Sequence, residues 1–271
     1  MSEKTEDERI ETQLHLEKDG IAILSINNVR RRNAFSAAVK ADMLRHLNGL
    51  MADAACKAIV ITGVGGMFCS GGDVKSMSEN GDDNNNYLSR RFQRGESSSG
   101  VMGMLVSGPK PVVTAVEGVA FGVGFGLAVA SDLTVAAKDA RFCAAQIRRG
   151  LCPDGLMYYT VTARCGPGRA RELLLSGREF NALEGERYGV VHELTEPGAA
   201  LEGAIAAAKR FASLPPIAFS LAKSAMTHDY HTLDQAYRAE QDYQPIVQLS
   251  NDHRESVKAF VEKRKPMYFG N

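Results

Sequence analysis

Apolar residues flank a polar turn near the start of the chain. Leu14 and Leu16 lie before Asp19-Gly20, and Ile21, Ile23, Leu24 and Ile26 follow it, which predicts a β-hairpin. The spacing then changes: Phe35, Val39, Met43, Leu47 and Leu50 recur at helical intervals, with Ser36 placed to cap the helix start. Apolar runs at 58–62 and 111–116 read as strands, 127–130 as a short apolar helix, 133–137 as another strand, and 168–175 as a helix ended by Ser176-Gly177. Beyond about residue 198 the pattern is helical almost throughout, punctuated by Pro215-Pro216 and Pro245. Residues 1–10 read as a polar N-terminal tail, and 79–99, rich in Asn, Asp, Gly and Ser, as a mobile segment inside the domain. Strands alternating with helices, then a helical tail, predict an α/β core over 11–200 and a C-terminal helical layer over 201–271.

Composition narrows the picture. A chain of 271 residues buries a sizeable core, and 32 basic against 32 acidic side chains leave no net field to gather nucleic acid or an anionic membrane. Five cysteines, an odd number without a C-x-x-C pair, predict free thiols in a reducing compartment. No apolar run reaches membrane-spanning length and no apolar signal core opens the chain, so the expectation is a cytoplasmic protein. The six histidines show no metal-ligand spacing beyond His228/His231, which lacks a third ligand nearby, so no metal is expected.

The chemistry lies in two glycine-rich turns that follow apolar runs: Phe68-Cys69-Ser70-Gly71-Gly72-Asp73 after 58–61, and Gly118-Val119-Ala120-Phe121-Gly122-Val123-Gly124-Phe125-Gly126 after 111–116. Glycine lets bare backbone N–H groups approach a ligand closely. Two such turns meeting at one point aim two donors at a single carbonyl oxygen, which is an oxyanion hole. Each turn alone has the bland reading of a structural turn. A dinucleotide fingerprint needs glycine where Leu127 stands, and no Gly-Lys-Ser/Thr is present for a P-loop.

These turns, with Asn33-Ala34-Phe35-Ser36, Lys110-Pro111-Val112, Ser131-Asp132-Leu133, Ala140-Arg141-Phe142, Gly166-Pro167-Gly168-Arg169-Ala170 and Ala259–Pro266, resemble the sequence blocks of the crotonase (enoyl-CoA hydratase/isomerase) superfamily, in order and over nearly the whole chain. The resemblance implies a spiral of β-β-α units with a C-terminal helical layer used in trimerisation, giving a homotrimer or a dimer of trimers. It implies an acyl-CoA thioester substrate, with CoA entering as part of the substrate and no separate cofactor. Carried over by position, the oxyanion donors are the N–H groups of Gly72 and Val123. Arg30, Arg32, Ser70, Lys75 and Lys263 are the candidates for contact with CoA.

One departure is sharp. The two glutamates that serve crotonase-type hydratases fall on Gly126 and Gln146, and neither residue exchanges a proton at neutral pH. An acid does stand at Asp154, directly after Pro153, where family members that move double bonds resemble this chain. Pro-Asp-Gly is also a strong turn sequence, so a purely structural Asp154 is the competing reading. Asp73 and Asp132 are expected to cap or close turns, and Tyr158 and Tyr159 either line an acyl pocket or pack in the core.

The expected activity is therefore an enoyl-CoA isomerase that shifts a β,γ double bond to α,β, with Asp154 as proton shuttle. The alternatives are a hydratase or other thioester chemistry with different groups, and a silent acyl-CoA-binding protein. The balanced charge disfavours RNA binding.

Overall fold

The computed structural model describes residues 11–73, 100–227 and 232–271. Lys75, the 79–99 segment, the tail 1–10 and the His228/His231 pair therefore lie outside the described residues. Strands β1 (Thr12–Leu16) and β2 (Ile21–Ile26) form the expected antiparallel hairpin across Asp19-Gly20. Strands β3 (Ala58–Gly63), β4 (Val112–Val116), β6 (Leu133–Ala137) and β9 (Glu193–Thr195) then add in parallel, giving the sheet order β1-β2-β3-β4-β6-β9. A second, smaller sheet joins β5 (Val119–Phe121), β7 (Arg141–Cys143) and β8 (Glu179–Asn181).

The long apolar runs follow from burial on both faces of the large sheet, as expected for parallel strands covered on each side. Leu24, Ile59, Ile61, Val112 and Val116 point into the main core. That core is closed by α1 (Ala37–Ala52), the helical residues 100–107, α2 (Val123–Val129), α3 (Met157–Ser176) and the small sheet. The alternate residues Ala58, Val60, Val113, Ala115 and Val135 face a second core under Ala200, Ala204, Ala207 and Ala208 of α5 (Ala200–Ala212). Small alanines let α5 lie close on the sheet, so the core continues through residue 212.

Ser36 caps α1, its Oγ accepting the Val39 N–H at 3.1 Å, and Val39, Met43, Leu47 and Leu50 are buried as the spacing predicts. Helix α2 begins four residues earlier than expected: Gly124 and Gly126 disguise it, but every residue of the helix is buried and packing overrides propensity. Helix α3 starts at Met157, well before the predicted 168, and breaks at Gly166 ahead of Pro167. After α4 (Ala182–Tyr188) and α5 come α6 (Pro216–Thr227), α7 (Leu233–Leu249, which continues through Pro245) and α8 (Asn251–Val261), the C-terminal layer.

Candidate functional site

The first glycine turn is held from behind by Asn33. Its Nδ2 donates to the carbonyls of Val64 (2.9 Å) and Met67 (2.6 Å), and its Oδ1 accepts the Asn28 N–H at 2.9 Å. The Ser70 N–H donates to the Arg32 carbonyl and its hydroxyl to the Arg31 carbonyl, so the arginine turn and the glycine turn form one unit. Arg31 pairs with Asp73, while the side chains of Arg30 and Arg32 are exposed on the same turn.

The second turn is hung beside the first. Cys69 donates to the Val119 carbonyl, Phe121 donates to the Cys69 carbonyl, and the Gly122 N–H donates to the Cys143 carbonyl of β7. Gly71 (φ 109°) and Gly122 (φ 54°) adopt backbone conformations that L side chains resist. They are also packed together: a Cβ on Gly71 would lie 3.1 Å from the Phe121 carbonyl oxygen, and one on Gly122 would lie 3.8 Å from the Gly71 Cα. The turns predicted to meet do meet, backbone to backbone. Neither the Gly72 N–H nor the Val123 N–H is spent on a hydrogen bond among the described residues.

The third wall is the 144–156 segment. A 3-10 turn at Ile147–Arg149 and a run through Pro153 bring Asp154, partly buried, up to α2. The Asp154–Gly155 backbone occupies the space in front of Gly126, where an added Cβ would meet the Gly155 carbonyl at 3.0 Å and the Asp154 carbonyl at 3.4 Å. A side chain at 126 would need this loop to give by a few tenths of an ångström. Leu156, at φ 61°, takes a left-handed conformation as the loop enters α3, a strained geometry of the kind often found at functional sites. The Gln146 Nε2 donates to Asp154 Oδ1 at 2.9 Å, a contact between two positions the sequence treats separately.

Other predicted residues fall elsewhere. Lys263 sits exposed just past α8, and none of its described contacts reaches the glycine turns. Asp132 accepts the Val112 N–H and pairs with the buried Lys223 at 2.7 Å, so it closes a turn as expected. Burial pushes the Asp132 carboxyl up and the Lys223 amine down, each pulled back by the other. Tyr159 borders a cavity of about 420 Å³ between α3 and α6, with Val129, Ala130, Ala222 and Met226, and donates its hydroxyl to the Met226 carbonyl. Tyr158 is exposed beside it. Among the described residues there is no cluster of His, Cys, Asp or Glu able to hold a metal ion. No described helix is long and apolar enough to cross a membrane.

Known proteins resemble this chain in sequence and fold. Residues 16–271 match the enoyl-CoA hydratase/isomerase family. The 1,2-epoxyphenylacetyl-CoA isomerase of Escherichia coli is 30% identical over 257 residues, covering 94% of this chain and 97% of that protein. The short-chain-enoyl-CoA hydratase of Clostridium acetobutylicum is 29% identical over 259 residues, covering 94% and 97%. The crystal structure of an enoyl-CoA hydratase from Bacillus anthracis superposes with a TM-score of 0.88 at 28% identity, covering 97% of this chain and all of that one. With two abutting glycine turns, a two-sheet α/β core and a match over nearly its full length, the chain belongs to the enoyl-CoA hydratase/isomerase family.

Proposed function

We propose that this acyl-CoA enzyme shifts a double bond of an enoyl thioester from β,γ to α,β. The observation that carries the reading is the position of Asp154: its backbone lies against Gly126 of the second glycine turn, and its carboxylate accepts from the Gln146 amide, which lies beside Gly122. One acid is thus available where hydration by two glutamates would need a pair.

In this mechanism the thioester oxygen lies between the N–H groups of Gly72 and Val123. Asp154 takes a proton from the α carbon, and the C–H electron pair moves onto the thioester as an enolate stabilised by the two donors. A preorganised donor of this kind is worth ~3 kcal/mol. The enolate electrons return through the double bond to the γ carbon, which takes the proton back from Asp154. One base suffices because the same group returns what it removed. No cofactor enters. Arg30, Arg32, Ser70, Lys75 and Lys263 are the proposed contacts for the CoA moiety. For Lys263 the site would belong to a neighbouring subunit, in keeping with exposed apolar side chains along α6–α8 and a homotrimer or dimer of trimers.

The test follows 3-enoyl-CoA and 2-enoyl-CoA by absorbance and mass spectrometry. Expected is conversion of the 3-enoyl to the 2-enoyl thioester without added water mass, reduced ~10²- to 10⁴-fold in Asp154→Asn. Full activity in that variant would remove Asp154 from the mechanism.

A second reading, hydration, is favoured by one observation. Gln146 Oε1 is buried with no donor among the described residues, on an amide bonded to Asp154, a place where a water O–H would find an acceptor and a base together. Hydratase names among the relatives agree with it. A gain of 18 mass units (one water) on 2-enoyl-CoA identifies this outcome.

A further inference from the structure

The Gln146 amide is unusual among the buried polar groups of this chain. It is only 9% exposed, yet one end of it is unpaired among the described residues: Nε2 donates to Asp154 Oδ1 at 2.9 Å, and Oε1 has no partner there. Asn33, also buried, shows what an amide does when its task is to tie down the fold, because both of its ends are satisfied by backbone groups. The Gln146 backbone is fixed independently of its side chain, its carbonyl accepting the N–H groups of Arg149 (2.9 Å) and Leu151 (3.0 Å). Its amide lies on the second glycine turn, since a Cβ on Gly122 would come within 3.7 Å of it. From a firmly held backbone the side chain therefore reaches across eight residues of loop to one carboxylate oxygen and makes no other polar contact among the described residues.

We propose that Gln146 is a positioning residue for Asp154: it aims the carboxylate at the glycine turns and holds it there while the proton is moved. This rests on the reading of Asp154 as the base. A glutamine suits the task because its donor stabilises a carboxylate, whereas a second carboxylate at that distance would repel it. The acid and its holder occupy one wall of the site, which leaves α2 free to supply the Val123 N–H.

The elementary step is measured directly by exchange of the α protons of butyryl-CoA in D₂O, followed by proton NMR. The proteins compared are wild type, Gln146→Met, Gln146→Glu, Asp154→Asn and the double variant Asp154→Asn/Gln146→Met. Gln146→Met keeps length without a donor, and Gln146→Glu keeps shape while replacing the donor by an acceptor. Expected is a fall in exchange of roughly 10- to 100-fold in each Gln146 variant. The dissociation constant for butyryl-CoA and the melting temperature should stay close to wild type. In the Asp154→Asn background, Gln146→Met should cost less than twofold more, because a residue that acts through Asp154 has nothing left to position. Equal fractional losses in both backgrounds, or wild-type exchange in both Gln146 variants, overturn the proposal and leave Asp154 as base. Wild-type exchange in Asp154→Asn, or none in the wild type, overturns the base assignment and this proposal with it.

Discussion

At the scale of single residues, position 126 is where the loop bearing Asp154 packs against helix α2. Gly126→Glu places a Cβ 3.0 Å from the Gly155 carbonyl, so the loop backbone must give by a few tenths of an ångström, which costs more than moving a side-chain tip. The variant should lose ~1–3 kcal/mol of stability and all of its Asp154-dependent turnover, without gaining hydration. Urea unfolding and product mass read both effects, and a stable, hydrating variant would contradict the packing described above. Gly72, Val123 and Asp154 can be named from the sequence as candidates because their motifs are local. The sequence shows Gln146 only as a missing acid. Its bond to Asp154 depends on how the 3-10 turn and Pro153 fold the intervening loop, and no periodicity reports that path.

At the scale of elements, the framework behind the first turn is the vulnerable part. Asn33 is fully buried and makes three hydrogen bonds to the backbone of the half-buried Asn28, Val64 and Met67. Asn33→Ala should therefore cost ~3 kcal/mol, seen as a lower urea midpoint, with loss of thioester binding as the turn loosens. A shift under 1 kcal/mol would mean the turn holds itself. Long elements such as β3, β4 and α1 declared themselves by apolar spacing. The three-residue strands β5, β7, β8 and β9 are too short to show a period of two, so no spacing predicts them. They are strands only because neighbours pair with them, and β7 anchors the very turn that carries Val123. The first half of α3 was missed for a related reason: it begins after Pro-Asp-Gly at a left-handed Leu156 instead of at a capping residue.

At the scale of the whole molecule, two properties follow. The first concerns pH. His192 accepts the Thr134 N–H on Nδ1 at 3.0 Å, so that nitrogen must stay bare. Withdrawal of the ring from water, and after it the Arg164 guanidinium, push its pKa down to about 4. In the unfolded chain the ring titrates near ~6.5. Between these values the unfolded chain takes up a proton that the folded one refuses. Stability is therefore full above about 6.5 and declines as the pH falls toward 4. His192→Asn, which keeps an acceptor, should flatten that part of the urea-midpoint profile, and an unchanged slope would exclude His192 as the source.

The second property is the C-terminal layer. Leu233, Leu249, Phe260 and Val261 are each more than 70% exposed in the single chain, an apolar display that association of subunits would cover. Phe260→Asp should shift sedimentation toward smaller species, and an identical profile would place the contact elsewhere.

The backbone that crosses in front of Gly126 also bears on how such enzymes diverge. Helix and loop pack there as one unit: a side chain at 126 is accommodated only if the loop that carries Asp154 gives by a few tenths of an ångström. A change on the helix is therefore felt at the loop, and substitutions at 126 and along 153–156 are expected to depend on one another rather than to act separately.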